Sequence, residues 1–350
     1  LAGLHQFKTD SVISVLDRLI MIIICGALLL THSEPGTFQL KWFVYAQTLA
    51  YIITFFITFF IVIKKAKVRR FYWRWPFFLM ILKKSYPYAV LVLLMTFYNR
   101  IDGVMLERLL PFRTGANEAG IYASAYRLLD SANMIAFLFA GLLLPIFARM
   151  IKLKQNLQEM IGLSFSLLVV PAMIVSCCCA FYSYEWMNLL YKGVHIEESA
   201  AVFRILMCCF VPISSTYIFG TLLTANGSLR QLNMMAGMGM LLNIVMNFYL
   251  IPRFEATGAA ISSITTQIFT CMAQIFMVKR IFKFSTNYSL MLRIMIFTLA
   301  CIVFNCLILQ LHYAWMIRFI VSAVACFTVA FLLRLIQPIG IYRIIRYEKE

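Results

Sequence analysis

The chain has 350 residues, of which 63% are hydrophobic and 13% charged, where soluble proteins average roughly 45–50% and about 25%. The formal charge of +17 does not point to nucleic acid, because the Lys and Arg residues cluster between apolar runs rather than along one polar face. What remains is an integral membrane protein, all-α and polytopic, since the apolar runs are long enough to cross about 30 Å as helices and none alternates like a barrel strand.

The apolar segments fall at 12–31, 42–63, 86–108, 119–148, 160–182, 199–224, 231–251, 256–279, 290–310 and 313–333, which predicts a bundle of about ten transmembrane helices. The connections alternate in charge. Basic residues crowd the second connection (Lys64, Lys65, Lys67, Arg69, Arg70), the fourth (Arg149, Lys152, Lys154), the eighth (Lys279, Arg280, Lys283) and the tail (Arg343, Arg346, Lys349). The sixth offers only Arg230, and the connections between them are neutral or acidic: Glu34 with Lys41, Arg113 with Glu118, Glu185, Glu197 and Glu198 against Lys192, and Arg253 with Glu255. Short cytoplasmic loops carry the Lys/Arg excess, so both ends of the chain are expected in the cytoplasm. Residues 64–85 mix basic side chains with Phe71, Tyr72, Trp73 and Trp75 and read either as an amphipathic linker on the inner leaflet or as an ordinary basic loop with aromatic anchors.

Ten cysteines lie almost wholly inside apolar runs without CxxC spacing and read as small buried hydrophobes. The histidines His5, His32, His195 and His312 are dispersed, with no metal spacing and no nucleophile partner visible in sequence. The longest outward loop, about 183–198, is short for a catalytic domain, so an enzyme is not expected and no cofactor is implied.

Ionisable residues at membrane depth mark functional paths more often than not. Here they concentrate in the third and fourth segments: Asn99, Arg100 and Asp102, then Arg127 and Asp130. Tyr122, Tyr126 and Asp130 recur every four residues with Asn133 three further on, lining one helical face with Arg127 beside it. Two readings stay open: a substrate-binding stripe, or an ion-pair set that locks the third helix to the fourth with Asp102 and Asp130 neutralising the arginines. Arg18 and Arg204 sit near helix ends and read as snorkelling side chains. Gly237, Gly239, Asn243 and Asn247 read as close helix packing with interhelical hydrogen bonds, and Pro145, Pro171 and Pro212 as bends or breaks.

The words GANEAGIYASAYRLLD and GLLLPIFARM between Gly115 and Met150, with the stretch from Leu222 to Gln267, resemble the Wzx-type polysaccharide flippases of the multidrug/oligosaccharidyl-lipid/polysaccharide exporter superfamily. The resemblance is thinner before Tyr86. It implies a MATE-like two-lobe architecture with an incomplete first lobe: residues 1–63 as the last two helices of an N-terminal bundle, 64–85 as a basic cytoplasmic linker, 86–280 as a C-terminal six-helix bundle, and 281–350 as two additional helices and a basic tail. About four helices would then precede Leu1. The implied activity is flipping of undecaprenyl-pyrophosphate-linked oligosaccharide units across the bacterial inner membrane, with H+ or Na+ as a possible coupling ion. Functional association with a polysaccharide polymerase and glycosyltransferases is also implied. Arg127 followed three residues later by Asp130 also resembles the lipid II flippases, and a cation-coupled multidrug antiporter of the same superfamily is the further alternative.

Overall fold

The computed structural model describes residues 7–31, 40–66, 75–192, 195–284 and 288–336, and no strand occurs among them. Eleven helices follow in chain order: α1 (Phe7–Thr31), α2 (Leu40–Ala66), α3 (Trp75–Leu109), α4 (Phe112–Lys152), α5 (Leu157–Phe181), α6 (Ser183–Leu190), α7 (Ile196–Cys208), α8 (Phe210–Ala225), α9 (Leu229–Phe282), α10 (Tyr288–Leu309) and α11 (Trp315–Leu332). Every expected apolar segment is essentially helical. Eight helical runs among the described residues are long and apolar enough to cross a membrane; α7 and α8 form one of them, and α9 holds two crossings in a single run.

The chain divides into two compact units, Leu1–Leu79 and Met80–Glu350. In the first, α1 packs on α2, whose buried residues include Ala46 and Ala50, four apart on one face, where small side chains let backbones approach. The middle of the 64–85 stretch lies outside the described residues, and residues 75–85 are the opening turns of α3. In the second unit, α3, α4, α5, α7, α8 and α9 share one apolar core. The last two helices pack on α5 through a smaller cluster that includes Val170, Cys178, Phe297, Cys301, Cys326 and Ala330. All ten cysteines are free, and five are buried.

Three connections differ from the expected loops. Between 108 and 119 only Leu110 and Pro111 are non-helical. Pro111 stands immediately before the first turn of α4, where its missing N–H costs nothing, and the following turn presses against α3. A Cβ on Gly115 would stand 3.0 Å from the carbonyl oxygens of both Leu106 and Glu107, so α3 and α4 meet where only hydrogen fits. The second is no loop but a break at Cys209 between α7 and α8, inside the expected segment 199–224, where Pro212 reads as a bend or break. Pro212, in the first turn of α8, has no N–H to give to Cys208 and its ring crowds that carbonyl. By contrast, α4 and α5 run through Pro145 and Pro171 without a break.

The third difference is the fold in α9. Glu255 has φ 52° and ψ −134°, well outside helical values, and the chain reverses there with helix on both sides. The contacts show antiparallel arms. A Cβ on Gly258 would lie 2.4 Å from the Leu250 carbonyl oxygen, Ser262 Oγ donates to the Asn243 carbonyl at 3.1 Å, and a Cβ on Gly239 would meet Thr270 Cγ2 at 2.9 Å. A helix that restarts at residue 256 leaves N–H groups without intrahelical acceptors. Glu118, buried on α4, accepts from the Ala256 N–H at 3.1 Å and places an acidic group at a helix N-terminus, where it is favoured. A residue expected in an outward loop therefore caps the apex of the α9 hairpin.

Gly258→Ala should destabilise the protein by about 1–3 kcal/mol, because the methyl overlaps backbone that cannot swing aside. Gly120→Ala, at a helical glycine with nothing within 4 Å, should be neutral or slightly stabilising. Thermal unfolding of the two purified variants in detergent checks the pair, and equal melting temperatures would show that the hairpin is not packed this closely.

Candidate functional site

A polar spine runs between α3, α4 and both arms of α9. Asn99 and Asp102, three apart on α3, face α9 together. Gln267 Nε2 donates to Asn99 Oδ1 at 2.8 Å, and Asn247 Nδ2 donates to Asp102 Oδ1 at 2.7 Å. The other Asp102 oxygen accepts from the Tyr122 hydroxyl at 2.6 Å and from Ser263 Oγ at 3.0 Å. Asn247 is held in turn by Asn243 Oδ1 at 3.1 Å. Asn243 and Asn247 are one turn apart on the first arm of α9, as Ser263 and Gln267 are on the second, so each arm supplies two polar groups from one face.

Asp102 is fully buried. A carboxyl group at membrane depth costs at least about 2.5 kcal/mol on insertion scales, and three donors on three different helical segments offset that cost. None is cationic. The expectation that Asp102 would neutralise an arginine is thus not the arrangement found: hydroxyl and amide groups serve it instead.

Arg100 is turned about 100° from Asn99 on α3 and points elsewhere. Its guanidinium meets Asp130 with Nη1 2.8 Å from Oδ2, and the two side chains are 59% and 36% exposed. The same guanidinium lies over the Tyr126 ring, 5.0 Å from its centre, within cation–π range. Tyr126 stacks on Tyr122 at 5.6 Å between centres, which links the exposed pair to the buried spine. This end of the site opens into a cavity of about 580 Å³ whose walls come from α3, α4, α8 and α9.

Of the residues expected in the site, Asn99, Arg100, Tyr126, Asp130 and Asn133 line that cavity. Asp102 and Tyr122 lie behind it in the spine. Arg127 is exposed and outside the cavity lining, and it makes no ion pair among the described residues. The reason is rotational: positions 122, 126 and 130 share a face of α4, and 127 is about 100° off it. Asp130 consequently pairs across helices with Arg100 rather than along its own helix. Of the outlying arginines, Arg204 is exposed and reaches Ser183 Oγ at 3.4 Å, and Arg18 is 3.6 Å from Asp17 with most of its side chain exposed.

Residues that sequence reasoning did not place in the site are Ser263, Gln267, Gln274, Thr216 and Tyr217. Neutral amides and hydroxyls in apolar runs carry little signal by themselves. Asn243 and Asn247 do form interhelical hydrogen bonds, as their spacing suggests, and Asn247 also belongs to the carboxyl network.

Comparison with solved structures decides the architecture. A structure of the lipid II flippase MurJ in its inward closed conformation superimposes with a TM-score of 0.67 and 15% sequence identity, covering 94% of this chain and 67% of the flippase. The fold is a flippase fold. At that identity the likeness speaks for the fold alone. Residues 1–151 match the family described as polysaccharide biosynthesis protein. That match includes the first 85 residues, where the motif resemblance is thinner, and ends before the Leu222–Gln267 stretch. No curated protein matches the chain. The protein is thus a multi-pass membrane protein with a flippase-type helical architecture, with Asp102 at the centre of its polar spine.

Asp102→Asn keeps the shape but exchanges an acceptor oxygen for a donor facing groups that donate. The expected loss of stability is about 1–3 kcal/mol, with a smaller loss for Tyr122→Phe, which removes one donor only. Melting temperatures of the detergent-purified proteins report both, and an unchanged value for Asp102→Asn would mean that the spine does not hold the helices together.

Proposed function

We propose that the protein moves lipid-linked oligosaccharides across the membrane, presenting undecaprenyl-pyrophosphate-linked repeat units made in the cytoplasm to the outer face of a bacterial inner membrane for polysaccharide synthesis. The observation that carries this reading is the state of Arg100. Among the described residues that line the cavity it is the one with a permanent positive charge, and a single oxygen of Asp130 engages it. A guanidinium has five N–H donors in a planar fork suited to phosphate oxygens, so most of its donor capacity is available to a pyrophosphate. Asp130 and Tyr126 orient the fork, and Asn99 and Asn133 add amide groups at the same level. In this reading Arg100 makes the phosphate contact, and Arg127, exposed and outside the cavity lining, does not.

The polyprenyl tail can stay in lipid, because only the charged and hydroxylated headgroup needs a polar passage. The family match over residues 1–151 and the flippase fold support this assignment. The clustering of Lys and Arg in alternate connections supports both chain ends lying in the cytoplasm. A coupling ion, H+ or Na+, would be drawn to Asp102, a buried carboxyl group without a cationic side chain beside it. The same feature favours a second reading, a cation-coupled antiporter, in which Asp102 rather than Arg100 is indispensable and no glycolipid is needed. The polymerase and glycosyltransferases that make and use such glycans are the functional partners of the first reading.

In the full-length protein, Arg100→Lys should reduce export of surface polysaccharide and Arg100→Ala should reduce it further, by about tenfold or more, since an ammonium cannot reproduce the paired donors. Asp130→Asn should be milder because the guanidinium remains. The measurement is surface polysaccharide in a strain lacking its own flippase, with the amount of protein in the membrane quantified alongside. Normal export by Arg100→Ala at matched abundance would rule out the phosphate role.

A further inference from the structure

The cavity has a second polar region that Arg100 does not occupy. Gln267 bonds Asn99 and so marks the level of the arginine. Gln274 lies seven residues farther along the second arm of α9, about 10 Å along the axis at 1.5 Å per residue, toward the end of the arm that carries Lys279 and Arg280. The residue is 1% exposed, it lines the cavity, and its Oε1 has no hydrogen-bond partner. Thr216 on α8 repeats the pattern: buried, on the cavity wall, with Oγ1 unpartnered. Gly220, one turn beyond Thr216, leaves room for the amide, since a Cβ there would stand 3.1 Å from Gln274 Oε1 and 3.4 Å from Nε2. Thr221 and Thr224 extend the wall. Their hydroxyls donate to the carbonyls of Tyr217 and Gly220, which leaves their oxygens able to accept.

Buried polar atoms in native proteins are almost always satisfied. Gln274 and Thr216 line one cavity, although their two unpartnered oxygens are themselves covered, and a turn of each side chain toward a ligand that brings the donors satisfies them. The wall has amide and hydroxyl groups and no charge, so it suits hydroxyls and N-acetyl amides rather than phosphate. We infer that Gln274 and Thr216, with Gly220 as the space that admits the amide, form a neutral subsite for the sugar next to the diphosphate, separate from the charged subsite at Arg100. The cavity thereby measures two chemical features of one ligand at a fixed spacing. This rests on the transport reading above.

The test is a ratio of two affinities, measured on the full-length protein in lipid nanodiscs with radiolabelled polyprenyl diphosphate and with the same lipid carrying one N-acetylglucosamine. The wild type should bind the glycosylated lipid more tightly by about tenfold. Gln274→Leu combined with Thr216→Val should bring the ratio close to one, and Gly220→Ala, which keeps the glutamine but displaces its amide, should lower it as well. Arg100→Ala should weaken both ligands and leave the ratio in place. A wild-type ratio of one, or a ratio that the wall variants do not change, overturns the subsite. Failure of the wild type to bind either lipid overturns the transport reading and the subsite with it.

Discussion

A carboxyl group with no water around it must be surrounded by donors, and the second unit is arranged around meeting that demand at Asp102. The donors come from α4 and from both arms of α9, so helices distant in sequence are brought to one point by Tyr122, Asn247 and Ser263. The network also sets the rotation of α3. With Asn99 and Asp102 committed to α9, Arg100 is left facing α4 and the cavity, and the aromatic pair Tyr122–Tyr126 joins the two environments. Where the guanidinium points is therefore a result of where the carboxyl is buried.

The helical runs were legible in the sequence because membrane helices are written in long apolar stretches, and hydropathy needs no partner to be read; eight of the described runs are long and apolar enough to cross, where the segments suggested about ten spans. The charged residues of the third and fourth segments were legible for the same reason: they stand out against that background. Their partners were legible only in part: an ion pair between the third and fourth segments was one of the two open readings and Arg100–Asp130 is such a pair, but the neutral donors around Asp102 were not foreseen. Spacing along one helix puts Arg127 and Asp130 near each other, but an ion pair across helices depends on axial rotation, which is settled by contacts with α9 far away in the chain. Glu118 shows the same limit, since its task as a cap exists only because the chain reverses at Glu255. The cavity wall of Gln274 and Thr216 was hidden for a different reason. Amides and hydroxyls in apolar segments usually bond within the bundle, as Asn243 does, and only a cavity distinguishes the ones that do not.

The likeness to a lipid II flippase at 15% identity shows how little of this architecture depends on particular side chains. Close approaches do depend on them. Where α3 meets α4 at Gly115, and where the arms of α9 meet at Gly258, the backbone geometry permits hydrogen and nothing larger. Such positions hold helices in register, whereas the lipid-facing residues need only be apolar.

The tight hairpin of α9 has a mechanical consequence. Two arms in contact from the Glu255 apex down past Gly239, with side chains interlocked at Asn243 and Ser262, cannot slide along each other without breaking buried hydrogen bonds, so the pair behaves as a single stiff lever. Any rearrangement that exposes the cavity to alternate sides of the membrane must then be absorbed outside it, at short non-helical joints. Leu110–Pro111 between α3 and α4, and the turn around Gly227, which has φ +76°, between α8 and α9, are the pivots available to that lever.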